Sequence, residues 1–108
     1  MNFTGMLKEG SLQDKVILIT GGGTGLGKSM GKYFMELGAN LIITSRKQDI
    51  LDETAKEFSN FSGEILPIAG DVRYANEVKQ IIQTSIDKYW KQNFGLYHLY
   101  ILFDYPVQ

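Results

Sequence analysis

Residues 16–29 read VILITGGGTGLGKS, an apolar run that passes directly into clustered glycines and then into a helical pattern. A strand, a glycine turn and a helix in that order build a cradle for phosphate. Glycine has no Cβ, so backbone amides can approach an anion closely, and it adopts positive φ without strain. The helix that follows adds free N–H groups and the positive end of its dipole. Two spacings fit the same residues. Counted from Gly22, the stretch is G-x-x-x-x-G-K-S, the phosphate loop of ATP- and GTP-binding chains, with Lys28 and Ser29 in place. Counted from Thr20, it is T-G-x-x-x-G-x-G, which suits the pyrophosphate of a dinucleotide.

The remainder of the chain repeats the same alternation. Leu26, Met30, Phe34 and Leu37 recur at helical spacing, Gly27 and Gly31 leave a smooth face for close packing on a strand, and Gly38 supplies the stop. LIITS at residues 41–45 is a second buried strand, and Ile50, Leu51, Thr54, Ala55 and Phe58 mark one face of a second helix. ILPIA at residues 65–69 is a third strand, assigned to a sheet edge because Pro67 has no amide proton to donate. Val78, Ile81, Ile82, Ser85, Ile86 and Tyr89 stripe a third helix, and residues 96–103, LYHLYILF, read as a fourth strand with one apolar edge uncovered. Strands alternating with helices through short connections predict an α/β fold, about four parallel strands forming the N-terminal half of a doubly wound sheet. Residues 1–14 form a lead-in, 15–89 the nucleotide-binding half-domain, and 90–108 an atypical tail.

Composition narrows the function classes. The 108 residues suffice for one small domain. With 11 basic and 12 acidic residues the formal charge is −1, so the polycationic surface of a nucleic-acid binder is not expected. No apolar run approaches the roughly 20 residues that span a bilayer, which points to a cytoplasmic protein with no membrane partner. The absence of cysteine removes disulfides, Cys-based metal sites and thiol nucleophiles, and no metal site is expected.

The second strand separates the two phosphate readings. In a dinucleotide fold its end faces the adenosine ribose, about 20 residues beyond the glycines. Arg46 stands 19 positions after Gly27, within Ser45-Arg46-Lys47, where a reader of NAD carries Asp or Glu. A guanidinium grips a 2′-phosphate through two parallel bonds, so this reader favours NADP. The phosphate-loop reading draws on residues 100–104, YILFD, whose Asp104 resembles a magnesium-holding acid at a strand end. It leaves Arg46 and Asp71 without roles. A noncatalytic module that binds NADPH stays open beside both.

LQDKVILITGGGTGLGKSMG, GANLIITSRK and GDVR, in that order and spacing, resemble the short-chain dehydrogenases/reductases over residues 12–89. GGGTGLGK followed by SRK is most similar to the NADPH-dependent 2,4-dienoyl-CoA and enoyl-CoA reductase branch. The resemblance implies a Rossmann-like three-layer fold, NADP(H) as cofactor, and reduction of a C=C or C=O bond. It also implies homo-oligomers among full-length relatives. Gly21, Gly23, Gly25 and Gly27 would shape the turn under the pyrophosphate, with Thr24 and Leu26 touching it. Arg46 would hold the 2′-phosphate with Ser45 and Lys47, while Asp71 and the Val72 backbone would meet the adenine.

The family pattern breaks off after Tyr89. DYPVQ stands where Asn-Asn-Ala-Gly is expected, and no tyrosine is followed four positions later by lysine. His98, the only histidine, has no paired acid to make it a catalyst. The chain therefore reads as a truncated N-terminal portion of an NADP-dependent oxidoreductase, with no catalytic residues of its own, inactive alone and prone to self-association or partner dependence.

Overall fold

In a computed structural model, residues 11–21, 25–90 and 99–103 are described. The order is β1 (Val16–Thr20), α1 (Gly25–Glu36), β2 (Asn40–Ser45), α2 (Gln48–Glu57), β3 (Ile65–Ala69), α3 (Ala75–Trp90) and β4 (Leu99–Phe103). All seven elements follow the expected alternation. The fourth strand begins at Leu99; the first three residues of the predicted span lie outside the described residues.

The strands form one parallel sheet in the order β3-β2-β1-β4. The chain builds outward from β1 to β3, then returns to pair β4 on the other side of β1. That reversal makes the carboxyl end of β1 a topological switch point, where open α/β sheets leave a crevice for ligands. Pro67 lies opposite Ile43 on the edge strand β3, as its missing donor requires.

Continuous apolar runs are needed because β1 and β2 are buried on both faces. Ile17, Ile19, Leu41 and Ile43 point to one side, where Met35, Leu51 and Phe58 from α1, α2 and the end of α2 close the core. Val16, Leu18 and Ile42 point to the other, against Ile81 and Tyr89 of α3. The result is three layers with the sheet in the middle.

Two glycines set how tightly the layers meet. A Cβ on Gly31 of α1 would lie 2.8 Å from Leu41 Cδ2, so the helix sits on β2 at a distance only glycine permits. A Cβ on Gly63 would collide with the backbone carbonyl of Ala39, which fixes the chain entering β3 against the start of β2. At that junction Leu41 N donates to Glu64 O at 2.8 Å, and Glu64 N donates to Asn40 Oδ1 at 2.9 Å.

Candidate nucleotide site

Parallel strands place their carboxyl ends on one rim, so the residues following β1, β2 and β3 become neighbours. Hydrogen bonds join these loops just beyond the sheet. Gly21 N donates to Thr44 O at 2.8 Å, and Gly70 N donates to Ser45 O at 2.9 Å. The glycine turn, the Ser45-Arg46-Lys47 corner and the Gly70-Asp71-Val72 loop are thereby joined into one row.

At the β1 end, Gly21 has φ 71° and Gly25 has φ 58°, both in the left-handed region that favours glycine. Nothing lies within 4 Å of a Cβ built on Gly25, so its positive φ and not crowding is what favours glycine there. Gly27 is buried, whereas Leu26 is 66% exposed at the mouth of the turn. The first turn of α1 carries no acidic residue, while α2 and α3 have Asp49 and Glu77 in theirs. The positive end of α1 is thus free of the carboxylates that temper the other two helices. Gly23 and Thr24 lie outside the described residues.

At the β2 end, Lys47 N donates to Ser45 Oγ at 3.3 Å, a short turn that places Arg46 at its corner. Arg46 and Lys47 are both exposed, and Lys47 caps α2 with extended backbone angles. Their cationic ends face solvent on the rim.

At the β3 end, Asp71 is held on every side. Its N–H donates to Glu77 Oε1 at 2.9 Å, and its C=O accepts from Tyr74 N at 3.1 Å. Its carboxylate accepts from Arg73, with Nη2 to Oδ2 at 2.7 Å and Nε and the backbone N each 3.0 Å from Oδ1. The Arg73 side-chain hydrogen bond is the main cause that lowers the Asp71 carboxyl from 3.8 to about 2, with the charges of Arg73 and Arg46 adding to it against partial desolvation. Val72 is half-buried and packs against the core on the α3 side.

The sheet rim therefore brings together Gly21, Gly25, Leu26, Gly27, Ser45, Arg46, Lys47, Asp71 and Val72. Lys28 is directed elsewhere, with its Nζ 2.7 Å from Glu57 Oε2 at the far end of α2. Asp104 lies outside the described residues. Among the described residues no group of three or more His, Asp or Glu side chains gathers to hold a metal, and no helix is long and apolar enough to cross a membrane. Sequence reasoning missed Arg73 and Glu77, which fasten Asp71. Their signal is local: Arg73 stands two positions after Asp71, and Glu77 lies in the first turn of the helix that Asp71 precedes.

Comparison with known proteins agrees with this fold. A family model of the short chain dehydrogenases matches residues 15–94. A probable 2,4-dienoyl-CoA reductase of Bacillus subtilis is 35% identical over 75 residues, covering 69% of this chain and 30% of the relative. Among solved structures, L-sorbose reductase from Gluconobacter frateurii, complexed with NADPH and L-sorbose, superposes with a TM-score of 0.69 at 27% identity, covering 71% of this chain and 30% of that one. A 3-ketoacyl-(acyl-carrier-protein) reductase from Brucella melitensis, complexed with NADH, gives 0.66 at 32% identity, covering 72% of this chain and 31% of that one. The chain spans about a third or less of the length of these relatives. With its strand order, its glycine turn and 80 consecutive residues matched by the family model, the chain belongs to the short-chain dehydrogenase family.

Proposed function

We propose that these residues form the adenosine- and pyrophosphate-binding part of an NADP(H)-dependent oxidoreductase. The observation that carries the reading is Arg46, exposed at the carboxyl end of the strand beside the glycine turn, with Lys47 next to it and no acid at that position. An Asp or Glu there would accept hydrogen bonds from a ribose 2′-hydroxyl, whereas a guanidinium pairs with a 2′-phosphate.

The chain's own residues fit the cofactor. Gly21, Gly23, Gly25 and Gly27 let backbone amides meet the pyrophosphate, assisted by Thr24, Leu26 and the unopposed positive end of α1. Ser45 sets the corner from which Arg46 and Lys47 reach the 2′-phosphate, and Asp71 with the Val72 backbone receives the adenine. When bound, the nicotinamide supplies hydride transfer, and the protein's part is orientation and electrostatics. The role read for these residues is to bind and orient the cofactor. The substrate class favoured by the GGGTGLGK and SRK wording, and by the dienoyl-CoA reductase relative, is an activated C=C or C=O bond of an acyl-CoA thioester.

The phosphate-loop alternative is weakened by Lys28, whose ammonium is occupied by Glu57. Parallel titrations with NADPH, NADH and ATP test both readings. Arg46→Ala is expected to weaken NADPH about 10- to 100-fold and to leave NADH nearly unchanged, as loss of a charge-assisted bidentate contact implies. Lys28→Ala is expected to spare NADPH. ATP binding that depends on Lys28 and ignores Arg46 would overturn the proposal.

A further inference from the structure

We infer that the Ser45-Arg46-Lys47 corner does not fix which ribose oxygen carries the phosphate, so that the 3′-phosphoadenosine nucleotide of coenzyme A and its thioesters occupies the same site and competes with NADPH. This second ligand class rests on the NADP(H) reading above and adds regulation to it: the nucleotide of an acyl-CoA substrate or product displaces the cofactor.

The two nucleotides share the parts that these residues are placed to meet. Each carries adenine, a ribose monophosphate and a 5′-pyrophosphate, and in this half they differ only in whether the monophosphate sits on the 2′ or the neighbouring 3′ oxygen. The glycine turn, with Gly21 at φ 71° and Gly25 at φ 58°, suits a pyrophosphate whatever group lies beyond it. Selection between the two is left to the corner after β2.

The positive charge at that corner is uncommitted. Two other cations near the rim are held by acids, Lys28 by Glu57 and Arg73 by Asp71. Arg46 and Lys47, consecutive and both exposed, make no ion pair among the described residues. The Ser45 hydroxyl oxygen is turned to the Lys47 N–H at 3.3 Å, which leaves the two cations to hold the phosphate. An arginine alone would read position, because its planar fork grips a phosphate from one direction. The adjacent lysine relaxes that selection. Its ammonium is a point charge on a flexible stem, with donors that turn to follow the anion from one ribose oxygen to the next.

The test is calorimetric titration of the full chain with NADPH, coenzyme A and dephospho-coenzyme A, which lacks only the 3′-phosphate. The chain has no cysteine, so the coenzyme A thiol cannot attach to it as a disulfide. Coenzyme A is expected to bind within about tenfold of NADPH, and dephospho-coenzyme A about 10- to 100-fold more weakly than coenzyme A, the scale of charge-assisted contacts. Added coenzyme A should raise the apparent Kd of NADPH in proportion to its concentration, as competition for one site requires. Arg46→Ala is expected to weaken both ligands, whereas Lys47→Ala should weaken coenzyme A at least about threefold more than NADPH. Circular dichroism spectra that match the unaltered chain separate lost contacts from lost fold. Equal binding of coenzyme A and its dephospho form, or an NADPH titration unmoved by coenzyme A, overturns this inference and leaves the NADP(H) reading standing. Failure of the unaltered chain to bind NADPH overturns both.

Discussion

Asp71 shows how much one side chain in this fold depends on its partners. Its carboxyl is drawn from 3.8 to about 2, first by the Arg73 hydrogen bond and then by neighbouring positive charge. A carboxyl depressed in the folded state contributes stability that is present above its unfolded value and lost as pH falls through the folded one. Urea midpoints are therefore expected to decline between about pH 4 and pH 2, and Asp71→Asn should flatten part of that decline. An equal decline in Asp71→Asn would show that other carboxylates account for it. The position of Asp71 on the rim is legible in the sequence, because GDVR follows an apolar run at the spacing of a third strand. Its hydrogen bonds are not legible. Arg73 and Glu77 are ordinary polar residues until the turn between β3 and α3 folds them back on the carboxylate and the amide. Likewise the letters GKS cannot show that Lys28 reaches Glu57, since that depends on how α1 and α2 lie together.

At the scale of elements, periodicity carries most of the information. The two-sided burial of β1 and β2 follows from their unbroken apolar runs, and the edge position of β3 follows from Pro67. Gly27 and Gly31 predict a smooth helix face, yet the sequence cannot say which residue they approach. The structure identifies Leu41 as the neighbour of Gly31, with 2.8 Å between its Cδ2 and a Cβ placed there. Two effects compete in Gly31→Ala. Alanine improves helix propensity by about 1 kcal/mol, while overpacking a fully buried leucine costs about 1–3 kcal/mol. Crowding is expected to win by roughly 1 kcal/mol because Leu41 is 0% exposed and has little room to turn. The discriminating measurement is a double-mutant cycle with Leu41→Ala, itself expected to cost about 2–5 kcal/mol. In that background the added methyl should become neutral or stabilising, whereas strictly additive costs would remove Leu41 as the cause.

For the molecule as a whole, the two outer strands are treated differently. β3 is interrupted by Pro67, a residue that discourages further pairing at an edge. β4, LYILF, carries no proline and no charge, and among the described elements it pairs only with β1. The register puts Ile101 opposite Leu18, yet Ile101 is 37% exposed while Leu18 is 2% exposed. The α3 layer covers the sheet over Leu18 and Ile42 and leaves Ile101 half open. Among the described residues no strand pairs with the outer edge of β4, and for these 108 residues on their own an apolar edge beside an incompletely covered apolar face invites association, the simplest occupant being the β4 edge of a second copy. Sedimentation velocity of the chain is expected to show concentration-dependent dimers or larger species. Ile101→Lys places a charge at the exposed position, and it should shift the distribution toward monomer, since an edge lysine opposes strand pairing. Substituting exposed Tyr74 on the opposite side of the sheet order, as Tyr74→Lys, serves as the control and should leave association unchanged. A monomeric unaltered chain, or equal effects from both lysines, would mean that β4 is not the adhesive edge.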